Sequence, residues 1–356
     1  MDFREFIDCL YGEGLLKRVT EPVDWKYEIG RIARNIKGPV LFDNIKDYNG
    51  CRVFAGGFSS VRSIAIAMGI NKEAGFNELA SIVKLRLKNR IVPIVVGSAE
   101  KRVVTGGDKV NLYSLPVPWW HYRDGGRYIG TWHINISKDP VSLSRNCGVY
   151  RMQLLSSNQT TVSVSPQSHL GKNISVAEKI GKDLQMAVAI GVDEAIVMAG
   201  GASVPFGVDE YEVAGALQEK PVELIKCITV DLEVPANAEY VLEGVIKCGA
   251  RVNDGPYFDY TGVSNINKNA HLFEVKAITR RTGPVFRGMS VGVPGAEDHL
   301  LFRLLTHGRL VDFHGSPLRQ RVQNFFLKYG YYRMFQFTGR AFGLLKKISS
   351  GRKNEK

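Results

Sequence analysis

No apolar run in the 356 residues approaches the roughly 18–20 needed to cross a bilayer. The N-terminus is acidic and amphipathic, where a secretory leader would be basic and then apolar. A soluble, cytoplasmic chain is the expectation. Cysteine is scarce: Cys9, Cys51, Cys147, Cys227 and Cys248 are odd in number, scattered and never in a C-x-x-C pair. That spacing argues against a zinc ribbon or a secreted disulfide framework, and reduced thiols are expected. Acid is lacking in one region only. From Arg303 to Lys356 twelve Lys and Arg face two acids, so almost all of the net charge of +12 belongs to the tail. The body therefore has no electrostatic case for binding nucleic acid. Internal repeats, low-complexity segments and a Gly-rich dinucleotide fingerprint are also missing.

The length favours two or three domains. Phe3, Phe6, Ile7, Leu10 and Tyr11 recur at helical spacing before Gly12 and Gly14. Strands are expected at Val40–Phe42, Arg52–Ala55 and near Ile91–Val96, with a helix from Ser60 to Met68. This alternation predicts an α/β layer over residues 1–105. After Pro116 and Pro118, Trp132, Ile134 and Ile136 alternate with His133, Asn135 and Ser137, and Val162 and Val164 alternate with serines, the period of half-buried strands. Ser175 with Glu178 reads as a capping box, Val222–Val234 as a long strand, and Asn237 as the cap of a helix over Ala238–Cys248. An antiparallel, barrel-like sheet is expected over 106–305. Residues 306–356 read as a basic amphipathic tail, with Leu318, Val322, Phe325, Phe326 and Tyr329 on one face. The tail is expected to pack against protein; a solvated tail and adsorption to an anionic membrane are the alternatives.

The middle third carries the chemistry. Asn146, His169 and Glu210 offer two hard oxygens and a nitrogen, donors suited to Mn²⁺ or Mg²⁺. By itself His169 reads as a satisfied strand-end histidine rather than a ligand. Asp254 and Asp259 flank a Gly-Pro turn, and two carboxylates sharing Arg151 would have their proton affinities pushed apart. A solvated loop of Asx turns is the bland alternative. Glu239 and Glu243 read as first-turn helix acids, Glu212 as a surface neighbour of Glu210, and His121 and His133 as structural.

The words around these residues, NCGVYRMQ, GVDEYEVAGAL and NDGPYFDYTG, together with the opening DFREF, resemble the UbiD family of prenylated-flavin decarboxylases over roughly residues 1–305. The resemblance implies an α+β fold in which the N-terminal α/β layer precedes a split, flavin reductase-like barrel, with the family's third domain absent or incomplete. It implies that Asn146, His169 and Glu210 bind Mn²⁺, which holds the phosphate of prenylated FMN. Val149, Tyr150 and Arg151 would line the flavin. Ala202 and Ser203 would serve a K⁺ site, on a segment shortened relative to the family. Asp259 matches the family's proton donor, Asp254 its upstream acid and Arg151 their shared arginine. Two departures stand out: Asp254 replaces the usual Glu, and Phe258 replaces the usual Gly. The implied reaction is decarboxylation of an aromatic or α,β-unsaturated acid, with a flavin prenyltransferase as cofactor supplier and a homo-oligomer or partner subunit as assembly. A reversible carboxylase, a catalytically silent or split-subunit member, and a conventional flavin reductase are the other readings.

Overall fold

The computed structural model describes residues 1–202, 204–259, 262–292 and 297–306. The Ser203 assignment and the tail reading from residue 307 onward lie outside them. A capping box opens the first helix, Phe3–Gly12: Asp2 accepts from the Glu5 amide at 2.8 Å while Glu5 accepts from the Asp2 amide at 2.7 Å. Its apolar face is Phe3, Phe6, Ile7 and Leu10, with Phe3 and Phe6 edge-on to Phe54. Arg4 leaves that helix sideways and grips Glu239 through two contacts of 2.7 and 2.8 Å. The DFREF word is thus a cap, an apolar face and one long-range ion pair.

The fold is mixed α+β. Strands Val40–Phe42 and Arg52–Ala55 form as the apolar runs predict; Lys17–Val19, which no apolar run marks, pairs with the first, and Val285–Arg287 completes their sheet in parallel with Arg52–Ala55. A curled half-barrel follows the order Gln159–Val162, Ser264–Arg280, Tyr240–Phe258, Leu184–Ile190, His133–Lys138 and Arg145–Gly148, antiparallel throughout, with Val103–Gly106 also paired to Ser264–Arg280. Helix Glu194–Gly201 covers one face of the strand His133–Lys138, where a Cβ on Gly200 would meet Ile134 at 3.2 Å. Helix His169–Lys179 covers the other, with Asn173 donating to Ser137 at 3.1 Å.

Four local expectations are corrected. His133–Lys138 is buried on both faces rather than half-buried, because helices cover both. The helix after it is capped by Ser168 and begins at His169, leaving Ser175 in its interior. Residues 222–234 form two short antiparallel strands, Glu223–Lys226 and Glu233–Pro235. The segment expected as a helix after Asn237 is instead the strand Tyr240–Phe258, whose first seven residues are all buried. A run buried on both faces has no two-residue period, so its pattern does not separate strand from helix. Glu239 and Glu243 are accordingly not solvated first-turn acids. Both are fully buried, Glu243 accepting from the Ile228 and Thr229 amides at 2.9 and 2.6 Å. The five cysteines are free, as expected.

Candidate active site

Asn146 sits on the strand Arg145–Gly148, after which the chain leaves the sheet and carries Val149, Tyr150 and Arg151 across its edge. The main chain there is held by the polar alternates of the neighbouring strand. Asn135 accepts from the Tyr150 amide at 3.1 Å, and the fully buried His133 places Nε2 3.0 Å from the Tyr150 carbonyl. Burial lowers the His133 pKa to about 4, so its ring is neutral. These two residues position the segment; the alternation that made them look solvent-facing concealed it.

Arg151 is thereby directed at Asp254. Its Nε and a terminal nitrogen lie 2.7 and 2.5 Å from one carboxylate oxygen, and the Thr161 hydroxyl donates to the other at 2.7 Å. Asp254 is completely buried, which excludes the solvated-loop reading for it. Burial pushes its carboxyl pKa up, Arg151 and Thr161 pull it down, and the balance lies above the usual range. The Arg151 guanidinium also stands 5.1 Å from the Tyr257 ring centre. Thr161 was missed by the sequence reading, as was Gln153, whose backbone N–H donates to the Thr161 hydroxyl at 2.9 Å and whose side-chain oxygen accepts from the Gly255 amide at 2.8 Å. Neither belongs to a recognisable word; only strand pairing brings them in.

The expected Gly-Pro turn is an irregular stretch of the strand, with register breaks between Asp254 and Tyr257. Gly255 has φ 109°, and a Cβ there would meet the Asn265 carbonyl at 2.6 Å, so glycine is required on both counts. Asp254 turns inward. Asp259 lies just past the strand's end, half-buried, and accepts from the Asn265 side chain.

The second cluster forms where two helices start. Glu210 opens helix Glu210–Gln218 and His169 opens helix His169–Lys179; Glu210 Oε1 is 3.4 Å from His169 Nδ1, and its other oxygen accepts from the Cys147 amide at 2.8 Å. Asn146 precedes that cysteine. Its side chain is buried and its Nδ2 has no hydrogen-bond partner. A half-turn of that amide would aim its oxygen where the nitrogen now stands, which suits a cation better than the present arrangement. Tyr150, whose hydroxyl accepts from the Leu170 amide at 3.4 Å, has Asn146 and Glu210 among its polar neighbours. Among the described residues no three His, Cys, Asp or Glu side chains gather as a metal cluster, so a cation here would rest on one imidazole, one carboxylate and one amide. That donor set fits a hard divalent ion with open positions.

The UbiD family model for the 3-octaprenyl-4-hydroxybenzoate carboxy-lyase Rift-related domain matches residues 94–294, and that for the N-terminal domain matches residues 7–83. The chain belongs to the UbiD family. It is 33% identical over 329 residues to a pyrrole-2-carboxylic acid decarboxylase of Pseudomonas aeruginosa, a match covering 88% of this chain and 66% of that relative. The chain thus spans just under two thirds of that UbiD protein's length. Among solved structures it is similar to the UbiD-class enzyme HmfF of Pelotomaculum thermopropionicum in complex with FMN, at 32% identity and a TM-score of 0.78, covering 85% of this chain and 67% of that one. It is also similar to the vanillic acid decarboxylase of Sedimentibacter hydroxybenzoicus, at 29% identity and a TM-score of 0.80, again covering 85% and 67%.

Proposed function

We propose that this UbiD-family chain removes carbon dioxide from an aromatic or α,β-unsaturated carboxylic acid with prenylated FMN. The observation that carries the reading is the ion pair of Arg151 with the buried Asp254, two residues that the family words single out, completed by Thr161. Relatives named as decarboxylases of pyrrole-2-carboxylate and vanillate support the reaction class. When bound, the cofactor would supply an electron sink for the electrons of the broken carbon–carboxylate bond. Asn146, His169 and Glu210 would hold Mn²⁺ or Mg²⁺ and, through it, the cofactor phosphate; Val149 and Tyr150 would border the ring, and Ala202 with Ser203 would serve K⁺.

The chain's own part is orientation and proton supply. Arg151 presents a fixed guanidinium that can face a substrate carboxylate while staying bound to Asp254. Asp259 then gives a proton to the product carbon and recovers it from solvent, for which its half-buried position is suited. Run in reverse, the same groups would serve carboxylation. Assembly with further copies or a partner subunit belongs to the same proposal, supported by the evolved dimeric form named for an HmfF structure.

Co-expression with a flavin prenyltransferase tests the reading. The purified protein should carry metal and prenylated FMN in about equal amounts and release carbon dioxide, and Glu210→Ala should lose metal and flavin together. Full flavin occupancy in that variant would refute the metal assignment. A loaded protein without carbon dioxide release would favour a catalytically silent member.

A further inference from the structure

Just before Asp259 this chain carries Phe258, and the structure builds a socket around it. The ring is buried and stacks on His121, centroids 4.4 Å apart at 20°, with the Arg123 guanidinium 5.2 Å from its centre. On another side it meets Gly292, where a Cβ would stand 2.2 Å from the Phe258 ring and 3.1 Å from the Asp259 carbonyl oxygen. The backbone is held as well. Asp124 accepts from the Phe258 amide at 2.9 Å and from the His121 amide at 3.1 Å, and the Gly125 amide donates to the Pro256 carbonyl at 2.6 Å. Residues 121–125 therefore grip 256–258 by two backbone contacts and one ring stack. The next residue is Asp259.

From this geometry we infer that Phe258, seated by His121 and Asp124, is a positioning residue that fixes the direction of the Asp259 carboxylate. The inference rests on the proton-donor reading of Asp259. A glycine at 258 would leave the two hydrogen bonds but remove the stacked ring, so the backbone entering Asp259 would regain rotational freedom. Proton transfer tolerates little of that, since a displacement of about 1 Å can cost roughly 10²-fold in rate. Burial lowers the His121 pKa to about 4, which keeps the stacked imidazole neutral near neutral pH.

The test uses Phe258→Leu, which fills the socket without a flat ring, and Asp124→Asn, which cannot accept both amides. Each is made alone and combined with Asp259→Asn. In cofactor-loaded protein each single variant should lower kcat by about ten- to a hundredfold at little changed KM. In the Asp259→Asn background each should lower it less than about twofold, because a residue acting only through Asp259 has nothing left to act on. Losses that multiply in that background would make Phe258 a packing residue and overturn the inference. Hydrogen exchange on the unloaded protein decides independently of turnover: the amides of Gly255, Tyr257, Phe258 and Asp259 should exchange about tenfold faster or more in both variants, with the rest of the sheet unchanged. Unchanged protection there overturns the clamp even in an active enzyme. A wild-type protein that loads cofactor and releases no carbon dioxide overturns the decarboxylase reading alone, since the exchange result still stands.

Discussion

Arg151 reaches Asp254 through two nitrogens on one oxygen while Thr161 holds the other oxygen, so the carboxylate cannot turn without leaving a buried group unpaired. Lysine keeps the charge but not the fork. Arg151→Lys should therefore lower kcat/KM by roughly 10²-fold while metal and flavin occupancy stay near wild type, and Asp259→Asn should lower kcat by a comparable factor, the usual weight of general acid catalysis. Steady-state kinetics on loaded protein, with flavin absorbance as the occupancy check, measures both. At this scale the sequence was legible where residues sit in a compact word. Arg151 and Asp254 stood out because each lies in such a word; Thr161, equally bonded to Asp254, is one of two adjacent threonines in a strand and carries no local mark. His133 and Asn135 were hidden for the opposite reason, since alternation with Trp132, Ile134 and Ile136 is also what a solvent-facing edge looks like.

Among the elements, the strand Tyr240–Phe258 matters most, because it carries Glu243 in its buried half and Asp254 at its irregular end. Residues Tyr240–Ile246 are buried throughout, with Glu243 and Gly244 set among the apolar ones, and such a run is read as helix or strand with equal ease. Gly244 is the residue that marks it as a strand, since a Cβ there would stand 2.0 Å from the Glu274 carbonyl oxygen on the paired strand. Glu243 ties this strand to the segment before Glu233–Pro235 by accepting from the Ile228 and Thr229 amides and the Thr229 hydroxyl. Glu243→Ala should leave those donors without a charged acceptor and destabilise the protein by about 3 kcal/mol, the scale of buried hydrogen bonds to a charged group. Urea unfolding, read as a shift in midpoint at constant slope, checks it.

Over the whole molecule, buried ionisable groups join layers that are distant in sequence. Arg287 has no exposed side-chain surface; it bonds Glu194 at 2.9 Å and also pairs with Glu297, which in turn accepts from the Gly56 and Phe58 amides at 2.9 Å each. Such a cluster links the N-terminal sheet, the half-barrel and the helix Glu297–Thr306. Acid should be felt at His133. Its pKa is about 4 in the folded protein against an ordinary 6.5 unfolded, so below pH 6.5 the unfolded chain binds more protons and stability falls as pH drops from 6.5 to 4. That contribution is about 3 kcal/mol when fully lost. Melting temperature should decline across this window, and His133→Gln should flatten the decline; an equal decline in the variant would assign it to other groups. No helix among the described residues is long and apolar enough to cross a membrane.

The sequence by itself determined the family, the acid and arginine words, the first helix and the early strands, because each is a short-range pattern: a cap, a period, a fixed spacing of chemically distinct residues. Tertiary structure decided what those patterns could not express. Whether Tyr240–Ile246 was helix or strand depended on a partner strand that lies well apart in the chain, Tyr240 pairing with Arg280 and Ile246 with Phe273. Whether His133, Glu239 and Glu243 faced water depended on the helices and strands that cover them, since an alternating strand can be covered on one face or on both. The surroundings of Phe258 were the last to be fixed, since the ring's neighbours His121, Asp124 and Gly292 come from segments more than thirty residues to either side, and only their convergence builds the socket in which it sits.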